Sequence, residues 1–187
     1  GCCSLSTVHV GGEDAGNLFG RVEAIPREHV IAAVDNAKTW NSAEGYIGAL
    51  QQRPLGPNIA AFIGHSDMRT ATMGLDRATR KEMRPTSGEQ TEMERMLDAA
   101  LDAGFIGLSS QQLLFDKIDG DTCRSRTLPS TFARPRELRR LKNLIRRRGR
   151  CAPLQRRDQA RQIVHVVGGI AALGDTIFGG PAAKAQN

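Results

Sequence analysis

The residues best suited to chemistry in this 187-residue sequence stand together: Gly64-His65-Ser66-Asp67-Met68-Arg69 closes the short apolar run from Ile59 to Ile63. An apolar run that stops at glycine, histidine and charge reads as a buried strand delivering polar groups at its carboxyl end. In α/β sheets the loops leaving that end converge on one crevice, so His65 and Arg69 are expected at a mouth. His65 either hydrogen-bonds a neighbouring loop or touches a ligand. Arg69 carries a planar fork that pairs with a carboxylate through two parallel hydrogen bonds. Its alternative is a salt bridge to Asp67 or to a nearby loop. Ser109 and Ser110 close a second apolar run, where their hydroxyls either meet a ligand or cap the loop that follows.

The elements that must position these groups follow from periodicity and punctuation. Asn41 with Glu44 forms a capping box ahead of Tyr46, Ile47 and Leu50, which predicts a helix over 41–51 that ends before Pro54. Trp40 reads as a wedge in the core rather than a platform for substrate. Thr86 with Glu89 caps a second helix, in which Met93, Met96, Leu97, Ala100 and Leu101 recur at helical spacing and Gly104 supplies the stop. The methionines there are core filler. A third helix over 134–148 turns Leu138, Leu141 and Ile145 inward and arginines outward. Strands are expected at 59–64, 105–109 and 151–155, and Gly1 to Val10 reads as a strand end entering a loop. The segment from Leu18 to Pro57 is read as loop and helix, and Thr70 to Pro85 as a loop with at most a helical turn. The strands start near Ile59, Phe105 and Cys151, a recurrence of roughly 46 residues that leaves room for right-handed crossovers. That spacing predicts a parallel α/β sheet. The loop from Gln111 to Ser130 is longer than the roughly 12 to 15 residues beyond which loops are usually functional or mobile.

Composition narrows the function classes. The chain carries a net charge of +6, most of it between Arg134 and Arg161. Aromatic residues make up only 4%, too few for a surface that stacks bases or sugars. No run of about 18 apolar residues is present, so no membrane span is expected. The amino-terminal Gly1-Cys2-Cys3-Ser4 shows no basic segment leading into an apolar one, so no signal peptide is expected from it, and cysteines at 2, 3, 123 and 151 lack a C-x-x-C spacing, which points to a reduced, cytoplasmic setting.

Several of these motifs, taken in order, carry a resemblance. Gly64-His65-Ser66-Asp67-Met68-Arg69 resembles the Gly-His-x-x-Leu-Arg segment of N-acyl-D-amino-acid deacylases (D-aminoacylases), within the metal-dependent amidohydrolase superfamily. Phe105-Ile106-Gly107-Leu108-Ser109-Ser110 resembles that family's Gly-Phe-Ser-Thr strand. Pro129-Ser130-Thr131-Phe132-Ala133 resembles the exit of its long active-site loop. Gly1-Cys2-Cys3-Ser4 resembles its Gly-Asn-Cys-Gly turn, with Cys2 in place of Asn and Ser4 in place of Gly. The resemblance covers Gly1 to about Gln155 and implies a partial TIM-like (β/α) barrel domain over 1–155, unclosed, followed by a divergent tail over 156–187.

It implies zinc as the cofactor and Cys3 as a metal ligand, thiolate being a good zinc donor; the alternative for Cys3 is a buried free thiol. It implies His65, Arg69 and Ser109 as substrate-binding residues, on the same side of the sheet as Cys3, with Arg69 facing the carboxylate of an N-acyl amino acid. The family's metal site also uses a first-strand His-x-His, two later histidines and an aspartate, none of which this sequence supplies in matching positions. The expectation is a fragment lacking both ends, inactive by itself in the hydrolysis of linear amides such as N-acyl-D-amino acids. A different class of function, nucleic-acid binding through the Arg134–Arg157 stripe, is physically cheap for so basic a stretch. No helix-turn-helix, zinc-finger or ring-stacking motif accompanies it.

Overall fold

The fold is taken from a computed structural model that describes residues 4–54, 56, 58–148 and 154–155. Three strands form one parallel sheet in the order β1 (Phe62–Gly64), β2 (Gly107–Gln111), β3 (Leu154–Gln155). Phe62 pairs with Gly107 and Gly64 with Ser109, while Ser110 pairs with Leu154. Among the described residues seven α-helices accompany them: α1 (Gly12–Phe19), α2 (Arg27–Ala37), α3 (Ala43–Gln51), α4 (His65–Met73), α5 (Leu75–Ala78), α6 (Ser87–Asp102) and α7 (Pro135–Arg147). The parallel crossovers expected from the spacing of the apolar runs are therefore present. Among the described residues the sheet stays open, and a closed barrel is not seen.

Local sequence explains the strongest elements. Thr86 accepts from the Glu89 amide while the Glu89 carboxylate accepts from the Thr86 amide, the reciprocal pair that starts α6. Met93, Met96, Leu97, Ala100 and Leu101 are its buried face, and Gly104, at φ +106°, takes the left-handed turn that ends it. On α7, Leu138, Leu141 and Ile145 face inward as expected. Leu141 and Ile145, with the buried face of α6, meet Ile63, Met68, Phe105 and Leu108 in the main core, with Val8 among them. A second cluster, of Val10, Ala15, Leu18, Val30, Ile118, Cys123 and Leu128, joins α1 and α2 to the long loop after β2.

Other expectations need correction. β1 is confined to Phe62–Gly64, because its partner β2 begins opposite Phe62 and leaves Ile59 half exposed at 51%. β2 runs over Gly107–Gln111 rather than 105–109. Ser42, not Asn41, caps α3: its side chain accepts from the Gly45 amide. The stretch read as a loop with at most a helical turn from Thr70 to Pro85 holds the end of α4 and all of α5, and α1 stands where a loop was expected after Val10, while α2 falls in the segment read as loop and helix. Residues 4–10 form no strand. Of the expected strand over 151–155, residues 151–153 lie outside the described residues, as does the tail over 156–187.

The tightest approach in the sheet region is at Gly64. A Cβ there would stand 2.6 Å from the Ser4 carbonyl oxygen and from the Leu5 carbonyl carbon, both backbone atoms that cannot step aside. Gly64→Ala should therefore push residues 4–6 off the end of β1 and destabilise the chain by about 1–3 kcal/mol. Urea unfolding of the two proteins checks this, and an unchanged midpoint would contradict it.

Candidate functional site

α4 begins at the residue after β1, with Gly64 as its N-cap, so His65 to Arg69 are helical rather than a loop. A spacing of four residues puts His65 and Arg69 on one face of the helix. Both side chains are fully buried, and both reach Glu137 in the first turn of α7. His65 Nε2 lies 2.8 Å from Glu137 Oε1, and Arg69 Nη1 donates to both carboxylate oxygens at 2.7 and 2.5 Å. The other ring nitrogen of His65, Nδ1, lies 2.8 Å from the Ser110 hydroxyl on β2. Burial by itself raises the Glu137 carboxyl, but the hydrogen bond and charge of His65, with the charge and hydrogen bond of Arg69, outweigh it and bring it from 4.5 to about 2.

The opposite face of α4 holds the first described segment of the chain. Asp67 is fully buried and accepts from the Val8, His9 and Val10 amides at 3.1, 3.2 and 2.9 Å, with the Ser6 hydroxyl as a further donor. The carbonyls of that segment turn the other way. Lys38 Nζ donates to those of Thr7, Val8 and Val10 at 2.9, 3.0 and 2.7 Å, and the Trp40 indole donates to that of Thr7 at 3.0 Å. Burial lowers the Lys38 ammonium while the Asp67 charge opposes that shift. Trp40, expected as a wedge in the core, is only partly buried, stacked edge-on against Tyr46.

Ser66 joins the pieces. Its hydroxyl lies 3.0 Å from that of Ser4 and donates to that of Ser130 at 3.0 Å, while Ser130 Oγ donates to the Gln111 carbonyl at 2.7 Å. The carboxyl end of the sheet is thus a buried polar layer tying together residues 4–10, β2, the 3₁₀ turn Pro129–Phe132 and α7.

Against this geometry, His65, Arg69 and Ser109 do share the carboxyl side of the sheet, but His65 and Arg69 face inward rather than into an open mouth. The partner of Arg69 is Glu137, not Asp67, and His65 meets a strand serine and a helix glutamate rather than a loop. Arg69 keeps Nε and Nη2 without a partner among the described residues. Ser109 is buried beside Ser110, in register with Gly64. Cys3 lies outside the described residues; its neighbour Ser4 accepts from the Ser66 amide at 2.9 Å, at the start of α4.

Glu137 and Asp67 carry the layer and were not singled out from the sequence. A signal for Glu137 exists: it is the one acidic residue between Arg134 and Arg148, and it precedes Leu141 and Ile145 on their inward face at four-residue spacing. Among the described residues no three His, Cys, Asp or Glu side chains are grouped to hold a metal ion, so these residues do not by themselves fit a zinc centre. No helix among them is long and apolar enough to cross a membrane. The arginine stripe is partly neutralised, since Arg140 pairs with Glu94 and Arg148 with Asp98 and Asp102.

No family model matches the chain. Uncharacterized proteins of Mycobacterium tuberculosis and Mycobacterium bovis are 53% identical to it over 150 residues, which is 80% of this chain and 24% of theirs. An N-acyl-D-glutamate deacylase of Alcaligenes xylosoxydans xylosoxydans is 46% identical over 81 residues, 43% of this chain and 15% of that protein. Among solved structures, the N-acyl-D-glutamate deacylase from Bordetella bronchiseptica, complexed with zinc and a phosphonate mimic of the reaction's tetrahedral intermediate, superposes with a TM-score of 0.51. That likeness covers 79% of this chain and 27% of the other at 26% identity. The chain spans about a quarter of the length of the curated relatives it matches first. Together these likenesses support an amidohydrolase-like relationship.

Glu137→Gln should strand the buried Arg69 charge and cost about 3–5 kcal/mol at neutral pH. Because the Glu137 carboxyl is depressed in the folded chain, its contribution is full above about 4.5 and is lost as the pH falls towards 2. Urea unfolding across that window should show an acid-dependent loss in the native chain that the Gln variant lacks. Parallel curves for the two proteins would contradict this.

Proposed function

We propose that this chain forms part of a hydrolase of linear amides whose substrates are N-acyl-D-amino acids, with N-acyl-D-glutamate as the nearest example. The observation that carries the reading is the 46% identity to an N-acyl-D-glutamate deacylase over 81 residues, supported by the structural likeness to a second enzyme of that name. Zinc would be the cofactor, since the structural relative was solved with it. When bound, such an ion polarises the amide carbonyl and its attacking water.

The described residues do not fit such a centre alone, so the remaining donors would come from outside them. Cys3 is the residue of this chain proposed to bind the ion. Its neighbour Ser4 is held at the start of α4 through the Ser66 amide and hydroxyl, which gives the following segment a fixed seat at the strand end. In this reading the substrate carboxylate would have to meet the fully buried Arg69, held by Glu137 through Nη1, at its Nε or Nη2, which have no partner among the described residues. Ser109 would line the same wall, and His65 would act through Ser110 to hold that strand end in place.

A chimera tests the reading. The chain should be fused to the segments of an intact deacylase that carry the first-strand His-x-His, the later histidines and the aspartate. It is expected to bind zinc and to release amino acid from an N-acyl-D-amino acid. Cys3→Ala should weaken zinc binding by about tenfold or more, as expected when one of few protein ligands is lost. Metal content after dialysis reads this directly. Equal zinc retention with alanine at position 3 would reduce Cys3 to a buried thiol, and a metal-loaded chimera inert towards N-acyl-D-amino acids would overturn the substrate class.

A further inference from the structure

The first turns of α6 and α7 meet at a cleft of about 280 Å³, lined by Arg84, Gln90, Arg134, Arg136 and Arg140 above Glu137. Both helices precede a strand of a parallel sheet and run back along it, so their first turns lie at the carboxyl rim. The charges there are unevenly answered. Arg140 pairs with Glu94, but Arg84, Arg134 and Arg136 have no carboxylate partner among the described residues. Arg134 makes only a contact of 3.5 Å with the Lys81 carbonyl.

Glu137 does not cancel this charge. Its carboxylate is turned inward onto Arg69 and His65, both fully buried, and it is itself only 3% exposed. Gln90, also buried, has its amide held by Glu94 at 3.1 Å. The amino ends of two helices add their partial positive charge to the same space. Three unanswered guanidinium groups in one small concavity call for a ligand with at least two negative charges on a compact group. Phosphate meets that demand with geometry the guanidinium fork matches, whereas a single carboxylate does not.

We propose that this cleft binds a small phosphorylated ligand, such as a phosphate monoester or pyrophosphate, through Arg84, Arg134 and Arg136. A nucleic-acid strand needs an extended track of cations, whereas the three unanswered arginines here gather in one small concavity and Arg140 and Arg148, farther along α7, are tied to Glu94, Asp98 and Asp102. The site stands apart from the hydrolase reading and does not depend on it.

Isothermal titration of the full chain with sodium pyrophosphate tests the site, alongside glutarate and a short DNA duplex. Pyrophosphate should saturate a single site. The double variant Arg84→Ala/Arg136→Ala should weaken it by about tenfold or more, the weight of lost charge-assisted hydrogen bonds. Both side chains are exposed and lack ion-pair partners among the described residues, so the variant should melt as the parent does by circular dichroism. Arg139→Ala/Arg146→Ala removes the same charge outside the cleft and should change affinity by no more than about twofold. Equal weakening by the two double variants would mean diffuse attraction and overturn the proposal. So would absence of pyrophosphate binding, glutarate binding as tightly, or the duplex binding more tightly than pyrophosphate.

Discussion

Arg69, Glu137 and His65 leave water together where α4 meets α7, and the arrangement of the sheet end depends on their meeting. Taking ions out of water costs several kcal/mol each, and their attraction offsets this only when the geometry is close and the remaining hydrogen-bonding capacity is used. Here Glu137 accepts from Arg69 at 2.5 and 2.7 Å and lies 2.8 Å from His65, so the carboxylate is well satisfied. The net stabilisation of such a cluster is small, yet separating its members is expensive. α7 therefore cannot slide along the sheet without stripping partners from a buried cation. The same histidine reaches Ser110, so the position of α7 is transmitted to the carboxyl end of β2.

A second constraint follows from the first, because α4 has two polar faces to satisfy. While His65 and Arg69 turn to α7, Asp67 turns to residues 6–10, which pair with no strand. Buried backbone groups without a ladder need other partners. Asp67 takes three consecutive amides, and Lys38 takes three carbonyls of the same segment. One carboxylate and one ammonium thus do for this segment what a neighbouring strand would do. The price is that the path of residues 4–10 rests on side chains from α4 and from the end of α2, with Gly64 leaving room for the backbone to pass.

The parts of the fold legible in the sequence are those whose signals are local. The Thr86–Glu89 capping box, the apolar stripes of α6 and α7 and the repeated spacing of apolar runs led directly to the helices and to parallel pairing. α4 was missed because periodicity finds helices with one apolar face, and this one is buried on nearly every side by polar residues: His65, Ser66, Asp67, Arg69 and Thr70. Reading it as a loop placed His65 and Arg69 at a mouth; as a helix, the same residues share a face that packs against α7. The bounds of β2 were off by two residues because Phe105 is buried in the core before the strand begins, and an apolar run does not say where its ladder starts. Glu137 required a tertiary fact, that its inward face meets α4.

The two roles of arginine in this chain separate according to what faces them. Arg69 is fully buried, and a buried cation without a carboxylate would be intolerable, so its position was settled together with that of Glu137. Arg84 and Arg136 stand at the surface, where hydration makes an unpaired charge cheap, and no neighbouring acid was needed to fold the chain. The interior is balanced and the surplus is left at the rim, which is how a net charge of +6 coexists with a closely paired core. Glu137 stands at the boundary between the two, its carboxylate committed to the interior while the residue also lines the cleft. A change that released that carboxylate would therefore act on both sides at once, loosening α4 from α7 and placing a negative charge beneath the surface arginines.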